Sequence, residues 1–255
     1  MKPRDKRSEK VYIYGKHALT EALTSAPHII KKVYLAPLAK EAGLESRLVA
    51  ANIPISELKG NEAGSLVGRD AVHQGVIAVI DPTKLLQPFE SFLDSLPMEK
   101  NPAIVILGEV QDPHNVGAII RSAAAFGLSG VLIPEHNQAQ ITGTVVKTSA
   151  GMAFQIPLVA IGNVNHVVRT LKEKRFWVYG LAMDGTKKLS EETFDAPTAF
   201  IIGNEGRGIR EKTLELCDET LTIPMHPRTE SLNAAVSAGV VFYAWSGRHP
   251  EALGA

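Results

Sequence analysis

From Ala103 onward the chain repeats a pattern that few folds accommodate, a short and largely apolar run followed by a helix-forming stretch. The runs are AIVILGEV (Ala103 to Val110), GVLIP, FWVYGLA, TAFIIG and LTIPM, with helical patterns such as VVRTLKEK between several of them and a last helix running into VVFYAW. Runs that are apolar throughout, rather than at alternate residues, belong to strands buried on both faces. Their alternation with helices predicts an α/β fold, a parallel sheet covered on both sides. Ligands on such sheets bind beyond the carboxyl ends of the strands, so the loops after Val110, Leu181, Ile202 and Ile223 are the places to look.

Upstream, a smaller alternation runs from Val11: VYIYG, KHALTEALTS, KKVYLAP, a helix around Leu44 to Ala51, and HQGVIAVI. The expected organisation is a basic tail over residues 1–10, a small α/β unit over 11–80, a linker over 81–102 and the larger domain over 103–250. The linker is read from Asp81-Pro82, Gln87-Pro88, Ser95, Pro97 and Pro102. The tail (Lys2, Arg4, Lys6, Arg7, Lys10) reads as a solvated segment, with an RNA-contacting arm as the other reading.

The chain has 255 residues, and 27 Lys and Arg balance 27 Asp and Glu, so any nucleic-acid surface is a local patch. Cys217 is the only cysteine, which excludes an intramolecular disulfide or a Cys-rich zinc site and fits a reducing cytosol. The first residues lack the apolar core of a signal peptide, and runs such as Ala103 to Leu107 and Val240 to Trp245 are far short of a membrane span. A cytoplasmic protein with no membrane association is expected. The histidines show no ligand spacing and no Ser/His/Asp set has nucleophile-elbow context, so neither a metal nor a hydrolase triad is expected.

Three constellations carry chemistry. EVQDPHNVGAIIRSAAAFG (Glu109 to Gly127) follows a strand, with Asp112 and Asn115 as N-cap candidates and Gly127 as a helix terminator. Gly117 and Arg121 lie four apart. On a helix they stack, leaving room for a phosphate or ribose beneath a guanidinium, or else the glycine serves helix packing while the arginine reaches solvent. FIIGNEGRGIREKTLELC places Gly203, Gly206 and Gly208 between a strand and a helix starting near Ile209. That order is not the dinucleotide fingerprint, and the next strand ends in Pro224 and Met225 rather than an acidic residue, so an oxidoreductase reading fails. Glu205 reads as a ligand contact or as a carboxylate favoured at a helix start. LTIPMHPRTESLNAAVSAGVVFYAW leads through a proline-bearing loop into a helix whose first turns hold Ser231, Asn233 and several small residues. Ser231 and Asn233 are cap candidates. His17 and His73 read as RNA contacts or as surface or capping residues, and Trp177 and Trp245 as core.

Together, in order and spacing, these constellations resemble the three motifs of the SpoU/TrmH family of RNA ribose 2′-O-methyltransferases, of the SPOUT class. Tyr14-Gly15-Lys16-His17-Ala18 and His73-Gln74-Gly75-Val76 resemble the small substrate-binding domain of the branch that methylates a guanosine in 23S rRNA. Lys147 to Gly151 match a further family segment. The resemblance implies a trefoil-knotted parallel-sheet methyltransferase domain preceded by a small α/β substrate-binding domain, in a homodimer that binds S-adenosylmethionine. It implies backbone contacts to the cofactor from Gly203, Ile223 and Leu232, and an active-site set of Asn115, Arg121, Glu205, Ser231 and Asn233.

The reaction it implies moves a methyl group from a sulfonium to a ribose 2′-hydroxyl. Arginine stays protonated in proteins, so Arg121 is expected to clamp the adjacent RNA phosphate and orient the 2′-oxygen, the proton leaving to phosphate or water. Two departures stand out: His226-Pro227-Arg228 replaces a stretch that usually has a glycine, and Ala234-Ala235 stands where Val-Ser is typical. The first bears on target choice, the second on packing. Transfer RNA as substrate and a non-catalytic RNA-binding protein of the same fold are the alternatives.

Overall fold

The computed structural model describes residues 10–60 and 62–254. The expected tail lies outside them except for Lys10. Two compact units divide the chain: residues up to Leu85 with Ile141–Gln155, and Leu86–Gln140 with Ile156 to the C-terminus.

The first unit contains β1 (Val11–Tyr14), α1 (Lys16–Ser25), β2 (Ile30–Leu35), α2 (Ala42–Ala50), β3 (Ile55–Glu57), α3 (Glu62–Val67) and β4 (Val76–Ile80). Its mixed sheet runs β1-β4-β2-β3. The run VIAVI places β4 inside the sheet, buried at all five residues and antiparallel to both neighbours.

The second unit begins with β5 (Leu86–Pro88), α4 (Phe89–Asp94), β6 (Ala103–Gly108), α5 (Pro113–Ala125) and β7 (Gly130–Pro134). The chain then contributes α6 (Gly143–Thr148) to the first unit. It continues through β8 (Leu158–Ile161), α7 (Val164–Glu173), β9 (Trp177–Leu181), β10 (Lys187–Lys188), β11 (Thr198–Gly203), α8 (Glu211–Leu214), β12 (Glu219–Thr222) and α9 (Ala234–Ser246). These strands form an eight-stranded sheet, β10-β12-β9-β11-β6-β7-β8-β5, whose pairings are all parallel. From β6 the chain moves outward through β7 and β8, then returns to build the other half from β9, β11 and β12. The order therefore reverses at the β6–β11 pair, where Gly108 and Gly203 lie side by side at the carboxyl ends.

Three expectations are corrected. The stretch 81–102 is not a plain linker: β5 pairs with β8, and Phe89, Phe92 and Leu93 join the core of the second unit. Proline and charge masked an apolar spacing of three and one residues that buries a helix face. Residues 141–155 leave the larger domain for the first unit; the α6 N-terminus lies so close to β1 that a Cβ on Gly143 would stand 2.3 Å from the Tyr12 carbonyl oxygen. Trp177 is 45% exposed because it opens β9 at the rim of the sheet, whereas Trp245 is buried and stacks on His249 as a core residue. No helix among the described residues is long and apolar enough to cross a membrane.

Candidate active site

The carboxyl ends of β6 and β11 release two loops that are tied together. Asp112 caps α5, its Oδ1 accepting from the His114 N–H at 2.8 Å, and Pro113 occupies the first turn where no donor is missed. Just before it, Glu109 sits at φ 69°, a left-handed conformation that costs a non-glycine residue energy. Asn204 holds it there: its Nδ2 donates to the Glu109 carbonyl at 2.9 Å, while its Oδ1 accepts from the Gly206 and Arg207 N–H groups. Arg210 pairs with the Glu109 carboxylate.

Glu205 is the third tie. Its carboxylate accepts from the N–H groups of Gln111 at 3.1 Å and Asp112 at 3.0 Å, and from Asn115 Nδ2 at 2.9 Å. Partial burial pushes this carboxyl up, but the hydrogen bonds from Asn115 and from backbone N–H groups outweigh it, so its pKa lies below the ordinary 4.5. The chain of contacts continues, because Asn115 Oδ1 accepts from Asn233 Nδ2 at 2.9 Å. Asn233 also caps α9, its Oδ1 accepting from Ala235 N at 2.8 Å and Val236 N at 3.3 Å. One side-chain relay thus joins the loops after β6, β11 and β12.

Beside the relay lies a cavity of about 390 Å³, walled by the carboxyl ends of β9, β11 and β12. Leu181, Ile202, Leu214, Ile223 and Leu232 line it with apolar surface; Gly203, Asn204, Gly206 and Gly208 bring backbone; Asp184 and Glu205 add carboxylates. Its size falls in the ~300–1,000 Å³ range of small-molecule sites. Gly203 has no alternative, since a Cβ there would stand 2.4 Å from the Gly208 carbonyl carbon and 2.5 Å from the Ile209 nitrogen.

Residues 102–243 match the SpoU rRNA Methylase family. The chain belongs to this family. Residues 12–86 match the domain described as RNA 2′-O ribose methyltransferase substrate binding. A relative from Pseudomonas putida, named 23S rRNA (guanosine-2′-O-)-methyltransferase RlmB, is 34% identical over 236 residues, covering 91% of this chain and 94% of its own. A protein of the same name from Neisseria meningitidis serogroup B is 34% identical over 232 residues, covering 90% and 92%. The crystal structure of the SpoU methyltransferase AviRb from Streptomyces viridochromogenes in complex with AdoMet superimposes with a TM-score of 0.81 at 23% identity, over 96% of this chain and 92% of that one, so the fold is the same.

In this SpoU methylase, Asn115, Glu205 and Asn233 are hydrogen-bonded together, and Gly203, Ile223, Ser231 and Leu232 line the cavity with Glu205. Arg121 is not among them. It is exposed on α5, six residues and so about 9 Å along the helix from Asn115, while Gly117 on the same helix is buried. Ser231 and Leu232 precede the last helix instead of opening it, and α8 starts at Glu211 rather than near Ile209. His73 caps a turn, its Nδ1 accepting from Gly75 N. In the departing loop, His226 folds back on itself: its carbonyl accepts from Thr229 N and its Nδ1 from Arg228 N. Sequence reading missed Asn204 and Arg210. Only Asn204 carried a signal, as an Asx-turn former ahead of closely spaced glycines.

Proposed function

We propose that this chain transfers a methyl group from S-adenosylmethionine to a ribose 2′-hydroxyl of RNA, and that a guanosine of 23S rRNA is its target. The observation that carries the reading is the Glu205–Asn115–Asn233 relay at the edge of the cavity, which ties the loops of three strands into one site. The cavity fits the cofactor: Leu181, Ile202, Ile223 and Leu232 suit an adenine and the methylene carbons beside the sulfur, and Asp184 and Glu205 suit a cationic sulfonium and ammonium. When bound, S-adenosylmethionine supplies a methyl on a cationic sulfur for in-line attack. The relay fixes the Asn115 and Asn233 amides so that they do not reorganise as charge develops. Arg121, exposed and without an ion pair among the described residues, serves as the clamp on the RNA phosphate next to the target ribose.

The 23S rRNA target rests on the names of the relatives and on the substrate-binding match over residues 12–86. A homodimer and a knot belong to the same reading. Val236, Val240 and Tyr243 leave an apolar stripe exposed along α9, of the kind a partner covers. β12 lies beyond β9, yet α9 packs on α5 and β11, so the chain between them crosses back over the carboxyl ends. Action in the cytoplasm follows from the substrate.

Incubation with labelled S-adenosylmethionine and either 23S rRNA or transfer RNA, followed by nucleoside mass spectrometry, tests the proposal. A 2′-O-methylguanosine in 23S rRNA is expected. Label only in transfer RNA would move the target; label in neither would end the enzymatic reading.

A further inference from the structure

The first unit holds a second cavity, of about 240 Å³, that takes no part in the site above. Its walls come from three separate parts of the chain: the end of β1 with the first turn of α1, the stretch around Val72 and Gln74, and α6 with the residues that follow it. Tyr14 sits in one wall, half buried. From the other wall Lys147 reaches it, with Nζ 3.3 Å from the Tyr14 hydroxyl and 5.4 Å from the ring centroid. No carboxylate lines the cavity, and Lys147 has no ion pair among the described residues. Lys16, close by in sequence, is by contrast spent on Glu41. His17 adds a second nitrogen base at the rim, and Val72, 76% exposed, adds an apolar edge. The Gln74 side-chain Oε1 accepts from Lys16 N at 3.2 Å, which holds the amide at the cavity wall with its nitrogen available to donate.

An aromatic face, an uncompensated cation, an amide donor and the absence of acid describe a receptor for a flat, hydrogen-bonding ring joined to a negatively charged group. The volume lies below the ~300 Å³ where cofactor-sized sites begin, which suits one ring system. Sequence-specific RNA recognition uses bases splayed out of the stack onto aromatic side chains, with cations on the flanking phosphates. We propose that this cavity receives a single unstacked nucleobase of the substrate RNA, stacked on Tyr14, with Lys147 on its phosphate. The proposal deepens the RNA methyltransferase reading and rests on it for the identity of the RNA. It also gives residues 143–151 a role, since they complete the cavity of the first unit.

The test measures binding of the full-length protein to in-vitro-transcribed 23S rRNA by filter retention, alongside S-adenosylmethionine affinity by calorimetry and methyl transfer. Tyr14→Leu removes the stacking face, Lys147→Met the cation, and Ala18→Leu fills the space while leaving both. Each is expected to weaken RNA binding about ten-fold with cofactor affinity unchanged. Tyr14→Phe keeps the ring and is expected to stay within about two-fold. Ultraviolet cross-linking should place a nucleotide on the peptide containing Tyr14. Wild-type RNA affinity in Lys147→Met and Ala18→Leu overturns the proposal, even where Tyr14→Leu fails to fold. Pocket variants that bind like wild type while the wild type methylates RNA overturn this inference alone. Variants that lose binding while no methyl is transferred uphold the pocket and overturn the enzymatic reading. A wild type that binds no RNA overturns both.

Discussion

The Asn115 side chain donates to one Glu205 oxygen at 2.9 Å, and that same oxygen accepts the Asp112 N–H at 3.0 Å, so a residue of the β11 loop decides where the first turn of α5 stands. Glu205→Gln keeps the shape but sets an amide NH2 against one or more of these donors. Misplacing a catalytic group by about 1 Å costs roughly 100-fold in rate, and turnover is expected to fall by about that factor, while stability falls by only ~1 kcal/mol because the site is partly solvated.

The same carboxylate gives a pH signature. Its folded pKa lies below 4.5, so the stabilisation it provides is complete above about pH 4.5 and is lost as pH falls through the lower folded value. Melting temperatures of wild type and Glu205→Gln should differ by a constant amount from pH 7 to 5 and converge below 4.5. A gap that widened on acidification would contradict the assignment.

Asn233 has two jobs that one pair of variants separates. Asn233→Asp keeps the cap on Ala235 and Val236 and places negative charge where the helix N-terminus favours it, but it turns an oxygen toward Asn115 Oδ1 in place of the donor. Its melting temperature should stay near that of wild type while turnover falls about 100-fold. Asn233→Ala should lose that activity and about 1 kcal/mol of stability as well. Full activity in Asn233→Asp would reduce the residue to a cap.

Gly203 and Gly206 look alike in sequence and differ in space. A Cβ on Gly203 meets the Gly208 and Ile209 backbone at 2.4 and 2.5 Å, whereas on Gly206 the nearest atom is Asn204 Oδ1 at 3.7 Å. Overpacking of ~1–3 kcal/mol converts to roughly 5–150-fold in affinity, so calorimetry should show S-adenosylmethionine binding weakened within that range by Gly203→Ala and nearly unchanged by Gly206→Ala. Equal effects would mean that the loop yields.

This contrast marks what the sequence made legible. Apolar runs announced the strands of the larger sheet, and the resemblance to family motifs singled out Asn115, Glu205 and Asn233, which hydrogen bonds join in the structure. That Asn115 bridges the other two was not legible, because partners 90 and 118 residues apart meet only once the order of a parallel sheet is known. Nor was the fate of residues 141–155: the close approach of Gly143 to Tyr12 joins positions more than a hundred residues apart and exists only once β1 is laid against α6.

The exposed stripe of α9 predicts association. Val236, Val240 and Tyr243 recur at intervals of four and three on one face, and Phe126 meets Tyr243 edge to face at 5.9 Å, extending the apolar surface. Sedimentation should find a dimer for wild type and a monomer for Val236→Glu with Val240→Glu, since burying unpaired like charges costs several kcal/mol. A monomeric wild type would remove the dimer from the proposed function.

Arg121 tests how the RNA is oriented. It lines no part of the cofactor cavity, so neither Arg121→Lys nor Arg121→Ala should change S-adenosylmethionine affinity. Lysine keeps the charge but loses the planar fork that grips a phosphate through two parallel hydrogen bonds. If orientation of the 2′-oxygen is the contribution, Arg121→Lys should lose about 100-fold in kcat with KM for RNA little changed, and Arg121→Ala should lose kcat and raise KM together. Near-wild-type turnover in Arg121→Lys would show that positive charge alone suffices.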